Sequence, residues 1–328
     1  MSNEPPPSRP VDRQWWLPLL AGAAVGVILR LVYIGNPAGA FDVMSWSFVV
    51  FAPLVVSTVT VYLAERAAPR TWWYYVAAGA LANSLFVLGT MLIMIEGLIC
   101  AIIAVPLFAT IGGVAGLLAG LVFRWIRWPR STLYGIAAAP IVLGWFAQFT
   151  PLPDAVQMVE RSIVIAAPPE RVWPHLLQAT QIQSNEIGDA LMYRIGVPLP
   201  LSAATEQQGN MLVRHIRMGK NVHFDQVADD WQPGKHVRWT YHFAPDSFPA
   251  GAMDDHVRIG GDYFDILDTE YTLTPTPNGT RLTAQMRYRV STHFNWYAMP
   301  VAEILVRNFE EAALAFYAHR ATASARSI

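Results

Sequence analysis

Charge is distributed very unevenly along this chain of 328 residues, and the asymmetry limits what the chain can fold into. After residue 150 lie 19 of the 24 acidic residues, 15 of the 23 basic residues and all eight histidines. Between residues 14 and 150 the charged side chains are only nine: Arg30, Asp42, Glu65, Arg66, Arg70, Glu96, Arg124, Arg127 and Arg130. A long segment with so few charges is suited to a lipid bilayer, whereas the charged segment after it is suited to water. We therefore predict a membrane-embedded helical bundle followed by a water-soluble domain.

The first part contains five long apolar runs, each close to the roughly 20 residues that a helix needs to cross a bilayer. They cover residues 15–34, 44–64, 72–95, 98–123 and 133–149. We therefore predict an all-α transmembrane bundle of about five helices over residues 15–150, after a disordered polar tail over residues 1–14. Arginine occurs in the tail and in alternate gaps between the runs. The positive-inside rule then places the N-terminus in the cytoplasm and, after five spans, the C-terminal domain outside.

Two local features of the bundle have structural interpretations. Gly112, Gly116 and Gly120, like Gly22 and Gly26, have the four-residue spacing that lets helices pack closely. Arg30 and Glu96 lie near the ends of apolar runs on the predicted outer side, where they reach water, and their role stays open.

The pattern changes to alternation after a proline-rich linker over residues 151–157. It predicts strands at 159–166, 211–217, 221–227, 237–243, 263–274 and 280–291, and a final amphipathic helix at about 296–320. Extra loop or helical structure is expected between residues 180 and 208. The last two strands form a hairpin at Asn278-Gly279. We predict an α+β domain over residues 158–322, in which the last helix lies across a curved antiparallel sheet.

Three segments of this domain carry a family resemblance: VERSIVIAAPPERVWPHL, DQVADDWQPGKHVRWTYHF and DTEYTLTPTPNGTRLTAQMRYRV. They resemble the SRPBCC superfamily, which includes START, Bet v 1-like and polyketide cyclase/dehydrase-like proteins. The resemblance covers about residues 157–322 and implies the helix-grip fold, with a cavity between the sheet and the C-terminal helix. It also implies a bacterial inner membrane protein. It does not decide the chemistry, because the superfamily contains both binding proteins and enzymes.

Alternation along the predicted strands indicates which side chains line that cavity. The wall is aromatic, with a few hydroxyl groups, and suits a hydrophobic small molecule or a lipid. The predicted ligand-binding residues are Trp239, Tyr241, Phe243, Tyr271, Leu282, Met286 and Tyr288 from the strands, and Leu305 and Phe309 from the final helix.

Candidates for catalysis are few. Asp265 has the same parity as Tyr271, which predicts an inward-facing general acid or base. His223 and Asp225 point to one face of a strand, as an acid/base pair or as two metal ligands. Two ligands are too few and no zinc spacing is present, so no metal and no cofactor are predicted. Cys100 is interpreted as a packing residue.

Several function classes are excluded by missing motifs. The chain has no G-x-S-x-G, H-E-x-x-H, P-loop or Rossmann fingerprint. It has no Lys/Arg-rich stripe, so no nucleic-acid partner is expected. The leading hypothesis is a membrane-tethered domain with two partners, the lipid bilayer and an apolar ligand. The alternatives are a cyclase-, dehydratase- or hydrolase-type enzyme using Asp265, Tyr241 or a histidine, and a ligand-sensing or partner-binding regulatory membrane protein.

Overall fold

A computed structural model describes residues 15–126, 130–187 and 190–323 of the chain. These residues form two compact units. The first contains the described residues up to Ile95 together with Ile103–Pro151, and the second contains Glu96–Ile102 and the described residues from Leu152 onwards. The predicted tail, residues 1–14, lies outside the described residues.

Helices make up the first unit. They are α1 (Leu17–Val32), α2 (Trp46–Ala67), α3 (Trp72–Leu92), α4 (Leu98–Trp125, whose first turn belongs to the second unit) and α5 (Arg130–Phe146). The helices α2, α3 and α4 are long and apolar enough to cross a membrane. By contrast, α1 has 16 residues and α5 has 17, which is short for a span. Residues 15–126, 130–187 and 190–323 therefore contain three candidate spans, and the count of five remains a prediction.

Close packing between the helices depends on the predicted glycines. A Cβ atom on Gly116 would collide with the Tyr75 carbonyl group and lie 3.2 Å from the Gly79 Cα atom. One turn earlier, the Ser57 hydroxyl donates a hydrogen bond of 2.8 Å to the Gly112 carbonyl oxygen. The close approach expected from the four-residue glycine spacing is confirmed here, and it lets polar groups bond across the interface.

The substitution Gly116→Val tests this packing. We expect it to destabilise the first unit by about 1–3 kcal/mol or more, because the new side chain has no room beside Tyr75. Gly135→Val is the matched control, since no described atom lies within 4 Å of a Cβ atom built at that helical position. Thermal unfolding of the full chain in detergent measures both variants. Equal melting temperatures for the two would contradict the close approach.

The second unit is an antiparallel sheet with helices. Its elements are β1 (Asp154–Ile165), α6 (Pro169–Leu177), α7 (Leu191–Arg194), β2 (Pro200–Gln208), β3 (Met211–Met218), β4 (His223–Gln232), β5 (His236–His242), β6 (Phe264–Thr276), β7 (Gly279–Ser291) and α8 (Asn295–Ala323). The seven strands are ordered β1-β7-β6-β5-β4-β3-β2. This confirms an antiparallel sheet followed by a long C-terminal helix.

Strand β1 is longer than predicted, and strand β2 was not predicted as a strand. Strand β1 begins at Asp154, inside the segment predicted as a linker, and pairs with β7 along its whole length. Strand β2 lies within residues 180–208, where loop or helical structure was expected. Its sequence, PLSAATEQQ, has low strand propensity, but pairing with β3 on one side and a bridge between Ala179 and Ala203 on the other hold it extended.

Helix α8 packs against β1, β7 and α6. Its buried positions are Ala302, Val306, Glu310, Leu314, Phe316, Tyr317 and Ala321. The predicted contact residues Leu305 and Phe309 are half-buried beside this stripe. The buried face is rotated by about one residue from the predicted one, because alanines give close contact and a glutamate, Glu310, faces inward.

Candidate functional site

Most of the predicted lining residues are buried or half-buried between the sheet and α8. Trp239, Tyr271 and Leu282 form a cluster with Leu314 and Tyr317 of α8. A second cluster contains Met286, Tyr288 and Val306, with Tyr241 and Phe309 packed against it. Phe243 packs elsewhere, against Phe224 and Phe248. Most of the predicted wall is therefore brought together under α8, and Phe243 lies at its margin.

A cation lies inside this apolar region. Arg214 of β3 is 5% exposed, and its guanidinium carbon lies 5.5 Å from the centre of the Trp239 ring. Its Nη2 atom donates a hydrogen bond of 3.0 Å to the Tyr317 hydroxyl oxygen, while its Nε atom is buried without a hydrogen-bond partner. Among the described residues no carboxylate pairs with it. A buried charge normally needs such a partner, since desolvation costs several kcal/mol.

Hydroxyl and indole groups add polarity to the same interior. The Tyr241 hydroxyl lies 2.7 Å from the Thr269 hydroxyl. Trp239 Nε1 and the Tyr288 hydroxyl are buried and have no hydrogen-bond partner in the part of the chain that the structure describes. Burial raises the pKa of Tyr241 to about 12, so its hydroxyl stays neutral at physiological pH. An apolar wall with a few uncommitted polar groups is typical of a small-molecule site.

Glu310, like Arg214, is a buried residue that the sequence prediction missed. It lies on α8 between Val306 of one cluster and Leu314 of the other and is 1% exposed. Neither carboxyl oxygen has a hydrogen-bond partner among the described residues. Burial raises its pKa to about 8, although Arg161 lowers it. At pH 7 the side chain is therefore mainly the protonated carboxylic acid. Ala302, Val306 and Leu314 belong to one series with a spacing of four residues, and position 310 belongs to the same series. This spacing was the sequence signal that could have indicated that Glu310 is buried.

The inward orientation predicted for Asp265 is wrong. Leu267 is an extra residue in β6, where the pairing with β7 shifts between Ile266 and Asp268. Asp265 pairs with Arg289 and faces the polar side of the sheet, whereas Tyr271, after the shift, faces the interior. The Asp265 carboxylate accepts a hydrogen bond of 2.8 Å from the Gly260 backbone N–H group.

His223 and Asp225 share a face of β4, as predicted, but they do not form a pair. Asp225 Oδ1 lies 2.7 Å from His215 Nδ1, and this hydrogen bond raises the pKa of His215. His223 Nε2 lies 3.6 Å from a different carboxylate, that of Asp246. The side chains of all four residues, His215, Asp225, His223 and Asp246, are exposed to solvent. Such exposure is typical of surface ion pairs.

A separate groove of about 820 Å³ lies at one end of the sheet. It is bordered by the first turn of α6, the turn between β4 and β5, and β6, and includes Trp173, Lys235 and Glu270. None of the nine predicted ligand-binding residues borders it. The groove is therefore distinct from the interior under α8.

Comparison with known proteins agrees with this architecture. Residues 157–319 match the family described as polyketide cyclase / dehydrase and lipid transport. No curated protein matches the chain. The C-terminal domain is thus polyketide cyclase/dehydrase-like, which is the part of the SRPBCC resemblance that is confirmed.

Similar solved structures include two aromatase/cyclases. The Zhui aromatase/cyclase from Streptomyces sp. R1128 is 15% identical, with 51% of this chain and 94% of that chain covered and a TM-score of 0.31. The di-domain aromatase/cyclase StfQ from the steffimycin biosynthetic pathway is 13% identical, with coverages of 63% and 62% and a TM-score of 0.33. A protein of unknown function from Staphylococcus aureus is 12% identical, with coverages of 53% and 98% and a TM-score of 0.34.

Proposed function

We propose that this protein is a membrane-tethered helix-grip domain that binds a hydrophobic small molecule or lipid between its sheet and α8. The ligand carries an acidic or other hydrogen-bond-accepting group, which binds Arg214. The observation that carries this proposal is the burial of that arginine among aromatic residues, with an Nε donor uncommitted and no described carboxylate beside it.

The energetics favour an acidic ligand group. The Tyr317 hydroxyl and the Trp239 ring offset only part of the desolvation cost of the guanidinium group. A guanidinium group presents its N–H donors in a planar fork that matches a carboxylate or phosphate. A ligand with such a group would use the free Nε donor and neutralise the charge.

The rest of the interior suits the apolar part of the ligand. Met286, Tyr288 and Val306 form an apolar surface beyond Tyr241, towards the start of α8. The buried Tyr288 hydroxyl offers a second polar contact along this direction. A long or polycyclic apolar body with one acidic end fits this distribution of groups better than a small polar metabolite does.

The apolar N-terminal helices support tethering to a bilayer, because three of them are long and apolar enough to span one. A bilayer concentrates apolar molecules, so a domain attached to it meets its ligand at high local concentration. We further propose the topology expected from the arginine distribution, with the N-terminus in the cytoplasm and the C-terminal domain outside. A periplasm-specific reporter fused after the last residue tests this topology. An inactive periplasm-specific fusion, together with an active cytoplasm-specific reporter at the same position, would contradict it.

Identification of the co-purifying ligand tests the binding proposal. We expect native mass spectrometry of the full chain in detergent to show about one bound molecule, released on denaturation and enriched over its abundance in the membrane extract. Its chemistry should combine an apolar body with an acidic group. Recovery of only bulk lipids, in the proportions of the host membrane, would contradict the proposal.

An enzyme is the second candidate, and Glu310 is the observation that favours it. A protonated carboxylic acid with a pKa of about 8 in an apolar interior is a general acid at neutral pH. It would assist a ring closure or a loss of water in a bound apolar substrate. If the isolated ligand is incubated with the protein, a new product that Glu310→Gln fails to form would support this function. Unchanged recovery of the ligand would support binding alone.

A further inference from the structure

Four potential metal ligands from distant parts of the sequence meet within the second unit. Glu96 and Cys100 come from the segment Glu96–Ile102, and Asp254 and His256 come from the loop between β5 and β6. One potential ligand atom from each residue lies within 4.8 Å of the others. The cluster is separate from the interior under α8 and contains none of the residues discussed there.

The distances fit a tetrahedral ion. His256 Nδ1 lies 3.3 Å from Glu96 Oε2, 2.8 Å from Asp254 Oδ1 and 3.8 Å from Cys100 Sγ. Ordinary bond lengths around tetrahedral zinc separate a nitrogen from an oxygen ligand by about 3.3 Å and from a sulfur ligand by about 3.6 Å. Only the contact between His256 and Asp254 is shorter than this, and it needs to open by about half an ångström.

The cluster is shielded from water and rich in negative charge. The side chains of His256, Glu96 and Asp254 are 13%, 12% and 7% exposed, and Cys100 is 8% exposed. Two carboxylates and the Cys100 sulfur atom surround a single imidazole nitrogen. One cation at the centre would contact all four residues at once.

The Asp254 carboxylate is held in place by the backbone. The His256 N–H group donates a hydrogen bond of 3.0 Å to Asp254 Oδ1, and the Gly97 N–H group donates one of 2.8 Å to Asp254 Oδ2. A Cβ atom on residue 97 would lie only 3.1 Å from Asp254 Oδ2, so glycine gives this oxygen its room. Such outer hydrogen bonds orient ligands and tune metal affinity.

We infer that Glu96, Cys100, Asp254 and His256 form a binding site for a divalent transition-metal ion, for which Zn²⁺ is the best match. A thiolate ligand disfavours Mg²⁺ and Ca²⁺, which prefer oxygen ligands. One nitrogen, one sulfur and two oxygen ligands in tetrahedral arrangement are compatible with zinc. Four protein ligands leave no open position, so the ion is structural and joins the loop at Asp254 to the segment Glu96–Ile102.

Direct metal analysis tests this inference on the full chain, purified in detergent with an affinity tag that contains no histidine. We expect about one zinc per chain by elemental mass spectrometry. Co²⁺ added after chelator treatment should give a near-ultraviolet thiolate-to-cobalt absorption band and the strong visible bands of a tetrahedral ion. The variant Cys100→Ser should lose the thiolate band, and Asp254→Asn should weaken zinc binding by at least about 100-fold.

Matched controls and the wild-type spectrum decide the outcome. His223→Ala and Asp225→Asn remove a solvated histidine and a solvated carboxylate and should leave metal content unchanged. If the ligand variants fail to fold, the thiolate band of wild-type protein still shows that Cys100, the only cysteine, binds the ion. A wild-type protein that binds no zinc in chelator competition, or gives no thiolate band with Co²⁺, would overturn the inference. Neither result bears on ligand binding at Arg214.

Discussion

Replacing Arg214 with methionine is expected to weaken acidic-ligand binding without destabilising the domain. Methionine has a similar length and no charge, so the substitution removes the desolvation cost of a buried guanidinium group that no described carboxylate neutralises. The lost contact is a charge-assisted hydrogen bond, which contributes about 1.5–3 kcal/mol, or roughly 10- to 150-fold in affinity. If Arg214 had a structural role, Arg214→Met would lower the stability of the domain. If it has a binding role, the variant lowers only the affinity for the acidic ligand.

A pair of probes makes this experiment specific. Wild-type protein should bind a long-chain fatty acid more tightly than the alcohol of equal chain length, and Arg214→Met should lose that preference while keeping its affinity for the alcohol. Arg281→Met is the control, because Arg281 is exposed on the polar face of β7. Fluorescent-probe displacement gives the affinities and thermal unfolding gives the stability. An unchanged acid-over-alcohol preference in Arg214→Met would contradict the assignment of this residue.

The second large effect is a dependence of stability on pH that arises from Glu310. Its pKa is raised from the ordinary value of 4.5 to about 8, so between these two pH values the unfolded state releases a proton that the folded state retains. Stability therefore falls as pH rises through this window, by about 1.4 kcal/mol per pH unit at most, and levels off above pH 8. Below pH 4.5 the carboxyl group is protonated in both states and contributes no slope.

Glu310→Gln should remove this component, so that the variant is more stable than wild-type protein at pH 8 and differs less at pH 5. The neighbouring substitution Glu311→Gln is the control, since the Glu311 side chain is 60% exposed and contacts Arg161. Comparing the variants at each pH cancels the contribution of other titrating groups. Melting temperatures of the full chain between pH 5 and 9 provide the measurement. Parallel curves for Glu310→Gln and wild-type protein would contradict a buried, protonated Glu310.

The parts of the fold that follow a regular period could be predicted from sequence. Strands β5 and β7 have uninterrupted alternation, so Trp239, Leu282 and Met286 were assigned correctly to the interior. The hairpin between β6 and β7 follows from Asn278-Gly279, and Gly279 adopts a φ of +128° that favours glycine. Local chemistry determines these features, so one sequence is enough.

Other features depend on contacts between distant segments. Strand β2 is extended because β3 pairs with it, although its own sequence does not favour a strand. Glu310 is buried against the usual preference of a carboxylate, so a hydrophobic stripe drawn along α8 omits it. The cluster at His256 combines segments about 150 residues apart, and neither segment has a recognisable zinc motif. No local pattern contains this information.

The extra residue at Leu267 also limits what alignments can transfer to this protein. On either side of it, equal parity along β6 means opposite faces of the sheet. Suppose that a relative lacks this extra residue and that its sequence is aligned through the second half of the strand. Every residue of β6 before Leu267 is then aligned one position away from its structural equivalent. Functional residues of β6 should therefore be assigned from such a relative by superposing the backbones. Assignment from the sequence alignment alone would exchange residues that face the interior for residues that face solvent.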